Sequence, residues 1–473
     1  MLQWQVPLEK SLKSIKILAA FFEIKHAYLI RLSLIPFITR QIDEISAEGW
    51  QTLWRKLKRL VLLPLELFLF VLAFPLVMLL RLLRPFVVIR IGSVDIGRIG
   101  GLYCGDWYLS EKVCGQHQDR YLDWFYFIKS TNHVNRQWEK MWRRVLPIFP
   151  WAKLVWSVER LNKWFPGHED HQIPNSDVMP TKEEHVNYLA GKDPSVYSKY
   201  NQRLECILGD SQPNLSFTEA EEVRGKKEIQ QLGIPPDNPF ICFHNRDSAF
   251  LDVIKKDFNW QYHDWRDSSI QNYLCAAKEM TDRGCYAVRL GAKVNEIVNS
   301  KNPKIIDYTS NGMRTDFLDI YLSAKCRFII CSDTGMSFPS EVFKRPLVYV
   351  NWSPNPLRLP VYAVRGLVIF KKLHLKKENH YMSFSGIMSL DFGGNDTNKI
   401  FDSLNLEVIE NTPEEIRDVT IEMDERLNGT WETTKEDVEL QERFWALFGP
   451  DKIKSPDLRI GTKFLRQNKE LLI

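Results

Sequence analysis

Residues 327–350 read RFIICSDTGMSFPSEVFKRPLVYV. Two short apolar runs, Arg327–Cys331 and Leu347–Val350, enclose a polar turn and a segment of helical character at about 336–344. Continuous apolar runs of this length are typical of parallel strands that are buried on both faces of a sheet. The stretch therefore predicts a strand–helix–strand unit of a parallel sheet.

Helical segments and apolar strand-like segments alternate upstream of this unit, and their spacing indicates a doubly wound parallel sheet. The predicted elements are a helix at about 217–231, the strand Phe240–Phe243, a helix at about 268–283, the strands Tyr286–Leu290 and Ile305–Tyr308, and a helix at about 315–324. Downstream, a capping box at Thr412–Glu415 predicts a helix that continues to about Leu427.

A second α/β pattern lies in the amino-terminal third of the chain. The apolar run Phe86–Ile91 leads into a glycine-rich turn that ends at Gly101, and Trp124–Ile128 is a further strand-like run. We therefore predict an α/β protein with two Rossmann-like doubly wound domains. The predicted regions are a helical region at 1–84, a first Rossmann-like domain with a polar linker at 85–215, a second Rossmann-like domain at 216–400, and a helical extension at 401–473.

The segment Leu60–Leu80 is long and apolar enough to enter a membrane. Its 21 residues carry one charge, Glu66, and a helix of this length reaches roughly 30 Å, the thickness of the hydrocarbon core of a bilayer. Pro64 and Pro75 would kink it, and basic residues flank both ends, so the positive-inside rule selects no orientation. A buried core helix, a spanning helix and a re-entrant or in-plane hairpin all fit the pattern. We expect residues 1–84 to bind membrane lipid.

The distribution of charge along the chain indicates the class of binding partner, and the positions of the cysteines indicate the cellular compartment. Residues 1–165 carry a net charge of +11 and the remainder −7. An anionic lipid or a phosphate-bearing substrate fits this distribution better than nucleic acid, because the chain has no evident recognition helix or basic repeat. The eight cysteines include no C-x-x-C pair and several lie in apolar runs, which is typical of buried thiols in a reducing compartment.

A polar loop follows the strand Phe240–Phe243 and contains His244, Arg246 and Asp247. In open parallel sheets the ligand lies beyond the carboxyl ends of the strands. The fork of an arginine at that position suits a diphosphate, and His244 would donate to a phosphate or organise the loop. The alternative for Arg246 is a structural ion pair with Asp247.

A second polar turn, Ser332-Asp333-Thr334-Gly335, follows the strand that ends at Cys331 and precedes a short helix. Free backbone N–H groups at a helix start bind anions, and a glycine permits close approach. The alternative for the Ser332 and Thr334 hydroxyl groups is helix capping. Arg289 ends a neighbouring strand and would join the same pocket.

Several motifs of other enzyme classes are absent from the sequence. There is no Walker A lysine loop, no G-x-G-x-x-G fingerprint and no G-x-S-x-G elbow. P-loop ATP hydrolysis, nicotinamide-dependent oxidation and α/β-hydrolase chemistry are therefore disfavoured. No D-x-D motif stands where a metal–diphosphate would be held.

The segment 239–352 resembles the carboxyl-terminal half of a family of bacterial glycosyltransferases of the GT-B type, in which two Rossmann-like domains face each other. Its H-x-R element is similar to that of fucosyltransferases, and its D-T-G to a phosphate-binding turn of heptosyltransferases. The chain departs from the family at Gly101, where a histidine often stands. The resemblance is carried by FICFHNRDSAFL (240–251), WRDSSIQNYL (265–274), RGCYAVRLG (283–291), MRTDFLDIYLSAK (313–325), FIICSDTGMSFPSEVFKRPLVYVNW (328–352), NTPEEIRDVTIEMDERLNG (411–429) and, more weakly, IRIGSVDIGRIGGLY (89–103).

The resemblance implies that the second domain binds a nucleotide-diphosphate sugar as substrate, with no cofactor and no metal. Its diphosphate would be held by Arg246, with His244 and Arg289, and by the turn Ser332–Gly335. A carboxylate or histidine of the first domain would deprotonate the acceptor hydroxyl. The candidates are Asp95 and Asp106, followed by His117 and Asp119.

We therefore expect sugar transfer to a lipid-linked or cell-surface glycan at the cytoplasmic face of a bacterial inner membrane. One alternative is a non-catalytic scaffold of glycan assembly that is anchored to the membrane. Another is a different transfer on the same fold, such as pyruvyl transfer from phosphoenolpyruvate. The sequence leaves the sugar, the nucleotide, the acceptor, the stereochemistry, the general base and the oligomeric state open.

Overall fold

The computed structural model describes most of the chain from residue 50 onwards. The described residues are 50–97, 99–117, 120–128, 135–173, 184, 187, 190, 192–193, 195–209, 212–250, 261–390, 397–448 and 458–473. Residues 1–49 of the predicted helical region 1–84 lie outside this part.

The apolar segment forms a single helix, α1, at Trp50–Leu83, with Pro64 and Pro75 inside it. Ala73, Val77 and Leu80 are buried at helical spacing against the rest of the protein. Most other apolar side chains between Val61 and Leu82 are exposed. The stretch Val61–Leu83 has a mean hydropathy of 2.5 and, among the described helices, is the one long and apolar enough to cross a membrane.

The amino-terminal α/β part holds a small parallel sheet. Strand β1 (Val88–Asp95) pairs with β2 (Tyr121–Ile128) in parallel, from Val88 opposite Tyr121 to Asp95 opposite Ile128. Isolated parallel bridges extend this pair on both sides, at Gln172 beside β1 and at Ile148 beside β2. The helices of this part are α2 (Tyr103–Val113), α3 (Arg136–Val145), α4 (Ala152–Asn162) and α5 (Val196–Leu208).

The carboxyl-terminal part is built on a seven-stranded sheet whose neighbouring strands are all parallel. The strand order is β12-β8-β7-β6-β3-β4-β5. From β3 the chain steps outwards to β4 and β5, then returns to the other side of β3 for β6, β7 and β8. This is the order of a Rossmann sheet with one strand added. The strands are β3 (Phe240–His244), β4 (Tyr286–Arg289), β5 (Ile305–Asp307), β6 (Ile329–Cys331), β7 (Leu347–Trp352), β8 (Gly366–Phe370) and β12 (Leu458–Ile460).

The described helices of this part are α6 (Glu219–Gln231), α7 (Leu274–Asp282), α8 (Asp316–Lys325), α9 (Phe338–Val342), α10 (Phe384–Ser389), α11 (Thr397–Ser403), α12 (Pro413–Asn428), α13 (Lys435–Ala446) and α14 (Thr462–Gln467). A small antiparallel sheet contains β9 (Lys372–Leu375), β10 (His380–Tyr381) and β11 (Leu406–Ile409). Right-handed crossovers that leave β3 and β6 in opposite directions place their helices on opposite faces of the large sheet. Accordingly α7 contacts α12, whereas α8 contacts α6 and α9.

A shared hydrophobic cluster joins the two α/β parts. Trp138 and Trp142 of α3 are fully buried and cluster with Ile320 and Ala324 of α8 and with Phe343. An extensive apolar interface of this kind opposes independent movement of two domains. Helices of the two parts are therefore packed against each other through this cluster.

The predicted α/β class, with a doubly wound parallel sheet and a preceding apolar helix, is confirmed. The capping box of α12 also forms, between Thr412 and Glu415. Residues 401–473 are not purely helical, because they contribute β11 and β12, and β12 joins the large sheet beside β8. The domain boundaries stay predictions.

Candidate functional site

The two polar loops predicted from the sequence follow β3 and β6, which are neighbours in the large sheet. Crossover connections leave these strands in opposite directions, and ligands of open α/β sheets bind at such a switch point. The backbone N–H of Arg246 donates to Ser332 Oγ at 2.8 Å, and the N–H of Ser332 donates to the His244 carbonyl oxygen at 3.4 Å. The fold thus brings the predicted loops together.

Arg246 is held in place by a carboxylate outside its own loop. Its guanidinium forms an ion pair with Asp267, and only 9% of the side chain is exposed. Burial lowers the pKa of Arg246 to about 10, and the charge of nearby Arg266 adds to this effect. The group is therefore cationic at neutral pH. Asp247 instead accepts from the backbone N–H groups of Ala249 (3.1 Å) and Asn295 (3.0 Å), which fixes the loop.

Arg266 is a site residue that the sequence reasoning missed. Its Nη2 donates to the Asp333 carboxylate at 2.8 Å and to the Asp333 carbonyl oxygen at 2.6 Å. Its buried Nε has no hydrogen-bond acceptor among the described residues. Two arginines therefore lie close together at the switch point, and each is ion-paired with an aspartate. The available signal was the WRDSS stretch, which carries part of the family resemblance.

The serine and threonine of the second loop already make hydrogen bonds within the protein. Ser332 is buried and binds the loop of Arg246. Thr334 caps the 3-10 helix Gly335–Ser337 by accepting from the Met336 N–H at 3.0 Å. Thr334 therefore acts as a helix cap, which is the alternative predicted for these hydroxyl groups.

Gly335 permits a close approach, but the approaching group is the protein's own glycine-rich turn. A Cβ at Gly335 would lie 3.1 Å from the Gly100 nitrogen and 3.1 Å from Ile99 Cγ2. A Cβ at Gly100 would meet the Phe338 ring at 2.9 Å. The turn of the amino-terminal part is thus seated directly on the turn of the carboxyl-terminal part. We call this contact the glycine seam.

Arg289 lies behind the loops and its side chain is 0% exposed. Its guanidinium donates to the Glu296 carbonyl oxygen, to Asp307 at 3.4 Å and to Asn245 Oδ1 at 3.4 Å. Burial lowers its pKa, and Asp307 opposes that effect. Arg289 therefore ties together the loops that follow β3 and β4 and the last residue of β5. Direct contact between Arg289 and a ligand stays a prediction.

His244 is neutral at physiological pH. Its Nδ1 lies 2.9 Å from the Leu290 carbonyl oxygen, which can only accept, so Nδ1 carries the hydrogen and Nε2 has the lone pair. Burial lowers the pKa of His244 to about 4, and the charge of Arg289 contributes. A neutral imidazole of this tautomer would accept from a hydroxyl group. Donation to a phosphate would first require protonation.

The two carboxylates predicted as catalytic bases are both engaged within the protein. Asp95 ends β1 and its Oδ1 accepts from the Gly97 N–H at 2.7 Å. Asp106 is buried in α2, accepts from Asn214 at 2.9 Å and lies 3.8 Å from Lys344. Burial raises the pKa of Asp106, and Lys344 opposes this. A catalytic role for either carboxylate stays a prediction.

The reserve candidate His117 belongs to a buried polar network. Its Nδ1 lies 3.1 Å from the Arg90 guanidinium, and its Nε2 lies 3.4 Å from Glu111. Arg90 forms a bidentate pair with Asp123 at 2.6 and 2.7 Å, and the Tyr108 hydroxyl donates to the same carboxylate. Asp119, the other reserve candidate, lies outside the described residues. Within the described part of the chain, no three His, Cys, Asp or Glu side chains are grouped to hold a metal ion.

Comparison with known proteins gives structural likenesses only. No family model and no curated protein matches the chain. ADP-heptose LPS heptosyltransferase II of E. coli is 13% identical over 67% of this chain and 97% of its own, with a TM-score of 0.34. A family 9 glycosyl transferase of Veillonella parvula is 11% identical over 72% and 97%, with a TM-score of 0.35. The UDP-GlcNAc 2-epimerase of Neisseria meningitidis is 9% identical over 72% and 100%, with a TM-score of 0.28. At these values the likenesses assign neither a family nor an activity to the chain.

Proposed function

We propose that this protein is a glycosyltransferase of the GT-B type that uses a nucleotide-diphosphate sugar as donor. The observation that carries the proposal is the meeting of the two predicted loops at the switch point of a Rossmann-ordered sheet, with Arg246 and Arg266 beside them. A diphosphate carries the opposite charge and accepts bidentate hydrogen bonds from guanidinium groups.

The expected chemistry of the donor side is electrostatic. As the bond between sugar and diphosphate breaks, negative charge develops on the leaving phosphate. Arginines fixed by Asp267 and Asp333 are already in position to stabilise that charge, so little reorganisation accompanies the reaction. His244 would accept a hydrogen bond from a sugar or ribose hydroxyl. This mechanism requires no cofactor and assigns no role to a metal.

The acceptor is proposed to enter from the amino-terminal part, whose glycine turn adjoins the switch point at the glycine seam. In an inverting reaction a base on this side would remove the acceptor proton. Asp95 is the stronger candidate of the two predicted carboxylates, because Asp106 is buried against Lys344. The proposed acceptor is a lipid-linked or cell-surface glycan.

Membrane attachment through α1 supports that choice of acceptor. Ala73, Val77 and Leu80 pack α1 lengthwise against the protein, and Phe70 contacts Trp156 of α4 with 6.1 Å between ring centroids. A helix fixed along the side of a domain favours an arrangement in the plane of the membrane over a perpendicular span. Exposed Trp151 and Trp164 lie at either end of α4, where tryptophan suits a membrane interface. The proposed location is the cytoplasmic face of a bacterial inner membrane.

A non-catalytic scaffold is the second candidate function. It is favoured by one observation, namely that Asp95, Asp106 and His117 all have partners within the protein. A scaffold would retain the membrane helix and would need no general base. Turnover with a purified donor and acceptor separates the two functions.

The test is the thermal stability of the full-length protein in detergent against a panel of nucleoside diphosphates and nucleotide-sugars. A ligand at a hundred times its dissociation constant adds roughly 2.7 kcal/mol to stability, which raises the melting temperature. We expect one nucleotide class to give this shift, and Arg246→Ala and Arg266→Ala each to abolish it. The matched control is Arg443→Ala, an exposed arginine in the last turn of α13, which should respond like wild type.

Other outcomes would replace the proposal. A shift with phosphoenolpyruvate and none with nucleotides would indicate pyruvyl transfer. The absence of a shift with any of these compounds would favour the scaffold. Nucleotide binding without turnover, with Arg246→Ala still removing the binding, would indicate a scaffold that has kept its donor site.

A further inference from the structure

A basic groove of about 350 Å³ lies beside the carboxyl end of α1. Arg81, Arg84 and Arg120 contribute to its lining, together with the ring of Tyr121. Arg81 lies in the last turn of α1, and Arg84 directly follows its last residue, Leu83. Asp170 is the one carboxylate in the lining. The side chains that line the groove therefore have a net charge of +2.

The three arginines differ in how far their charge is neutralised. Arg84 forms an ion pair with Asp170, and both side chains are half exposed. Arg81 donates to two neutral oxygens, Asn162 Oδ1 at 2.9 Å and the Pro166 carbonyl at 2.5 Å. These contacts fix the guanidinium without cancelling its charge.

Arg120 is exposed, and its guanidinium carbon stands 5.8 Å from the centre of the Tyr121 ring. In the described part of the chain, no carboxylate lies within ion-pair distance of it. The guanidinium carbon of the buried Arg90 also lies 4.0 Å from the centre of the Tyr121 ring. Arg120 is thus the cation of the groove that is most available to an added anion.

The position of the groove indicates the source of that anion. Leu79, Leu82 and Phe86 are exposed beside Arg81 and Arg84. If α1 lies in the plane of the membrane, these apolar side chains enter the acyl region, and the arginines on the flank of the helix meet the headgroups. A soluble anion would not explain why the basic groove adjoins an exposed apolar surface.

We propose that the groove of Arg81, Arg84 and Arg120 binds the phosphate of an anionic membrane lipid. This site rests on the proposed attachment of α1 to the membrane, but it does not depend on sugar transfer. Charge-assisted bonds from guanidinium to phosphate would fix the depth and the direction of the protein on the bilayer.

The experiment is vesicle co-sedimentation of the full-length protein, with vesicles of phosphatidylcholine alone and vesicles that also contain phosphatidylglycerol. Arg120→Gln should weaken binding to the anionic vesicles about ten-fold, because the variant loses a charge-assisted hydrogen bond to the phosphate. It should leave binding to phosphatidylcholine unchanged, because α1 is intact. Asp170→Asn removes the carboxylate of the groove and should strengthen anionic binding, a change of sign that misfolding would not produce.

The matched control is Arg160→Gln. Arg160 is exposed on α4 and stands 4.9 Å over the ring of Trp156, much as Arg120 stands over Tyr121. Arg160→Gln should leave the preference for anionic vesicles within two-fold of wild type. Arg160 lies outside the groove, and one such side chain changes the general electrostatic attraction to the vesicle only slightly. An equal loss in Arg160→Gln and Arg120→Gln would overturn the proposal, because the attraction would then be diffuse.

Two further arms identify the ligand. Inorganic phosphate, exchanged for chloride at constant ionic strength, should not remove the anionic preference. If low millimolar phosphate abolished the preference for anionic vesicles, the groove would be assigned to a soluble anion and the lipid assignment would be overturned. Wild-type protein that binds no vesicles at all would overturn both the site and the attachment of α1, whereas the donor proposal would still be decided by the nucleotide panel.

Discussion

The two α/β parts of this protein use their charged residues differently. At the switch point of the large sheet, Arg246 and Arg266 are collected at one edge, and each is positioned by a carboxylate. Within the small sheet of the amino-terminal part, Arg90 and Asp123 instead form a buried pair. The two arginines of the large sheet therefore lie beside the carboxyl ends of its strands, whereas Arg90 and Asp123 link the two strands of the small sheet.

The evidence for phosphate recognition and the evidence for a general base therefore differ. Recognition of a phosphate needs positive charge at a strand end, and the large sheet provides it. Removal of a proton needs a carboxylate or imidazole that is open to the acceptor, and Asp95, Asp106 and His117 all have partners inside the protein. The donor half of the proposal therefore rests on geometry. The acceptor half rests mainly on the glycine seam and on α1.

The largest effect on stability is expected from breaking the buried pair of the amino-terminal part. Although burial opposes ionisation of Asp123, the Arg90 guanidinium and the Tyr108 hydroxyl lower its pKa below the usual value. Asp123→Asn leaves the Arg90 charge buried without its counter-ion, and we expect a loss of about 3 kcal/mol in the free energy of unfolding. Urea denaturation measures it, and nucleotide affinity should be unchanged.

Asp282→Asn is the matched control for this change. Asp282 pairs with Lys278 on the exposed side of α7, and such exposed pairs contribute little to stability. If Asp123→Asn were as stable as wild type but inactive, Asp123 would belong to the chemistry. The contrast between the two parts of the molecule would then be wrong.

A smaller effect is expected at the glycine seam, where the two parts meet. In Gly335→Ala the added methyl group would stand 3.1 Å from a backbone nitrogen at Gly100, so the two turns must move apart by a few tenths of an ångström. We expect a loss of about 2 kcal/mol, as for other overpacked sites, and weaker nucleotide binding. Calorimetry and the nucleotide panel measure these two quantities.

The control for the seam is Gly386→Ala in α10. There the new Cβ would lie 3.2 Å from Cγ of Met382, a flexible side chain that can move. Stability should change little or rise slightly, because alanine favours a helix. Equal changes in the free energy of unfolding of the two alanine variants would mean that the glycine seam accommodates a methyl group without loss of stability and does not require Gly335.

Much of the large sheet could be predicted from sequence because its central strands are continuous apolar runs. The strand Phe240–Phe243 and the run 327–331 are visible for this reason, and the loops after them were correctly expected to lie together. The edge strand β12 could not be predicted in the same way. It has three residues, and its pairing with β8 is a long-range contact rather than a local pattern.

The same limit applies to the site. The sequence indicated Arg246, because an arginine directly after a strand stands at the ligand edge of the sheet. It did not indicate Arg266, which ends the 3-10 helix Gln261–Arg266, or Asp267 as the partner of Arg246. Neither residue directly follows a strand, and the contacts that they make join parts of the chain far apart in sequence. Local composition predicted a turn near Gly100 and another at Gly335, but only the fold shows that each glycine makes room for the other.

The smallest expected effect tests the neutral state of His244. Its pKa is about 4 in the folded protein against 6.5 ordinarily, so as the pH falls the unfolded chain binds the proton first. The stability due to neutral His244 is therefore complete above pH 6.5 and is lost as the pH falls from 6.5 towards 4. Since the imidazole is partly open to solvent, we expect a loss of about 1 kcal/mol between pH 7 and pH 5.

His244→Asn separates this titration from the hydrogen bond. The asparagine amide can donate to the Leu290 carbonyl oxygen in place of Nδ1 but does not titrate, so the variant should lose less stability than wild type between pH 7 and pH 5. His380→Asn, at an exposed position on β10, should follow wild type. Denaturation midpoints at the two pH values measure the difference. Parallel pH profiles for wild type and His244→Asn would mean that His244 is already open to protons, and that a protonated imidazole is available to a phosphate after all.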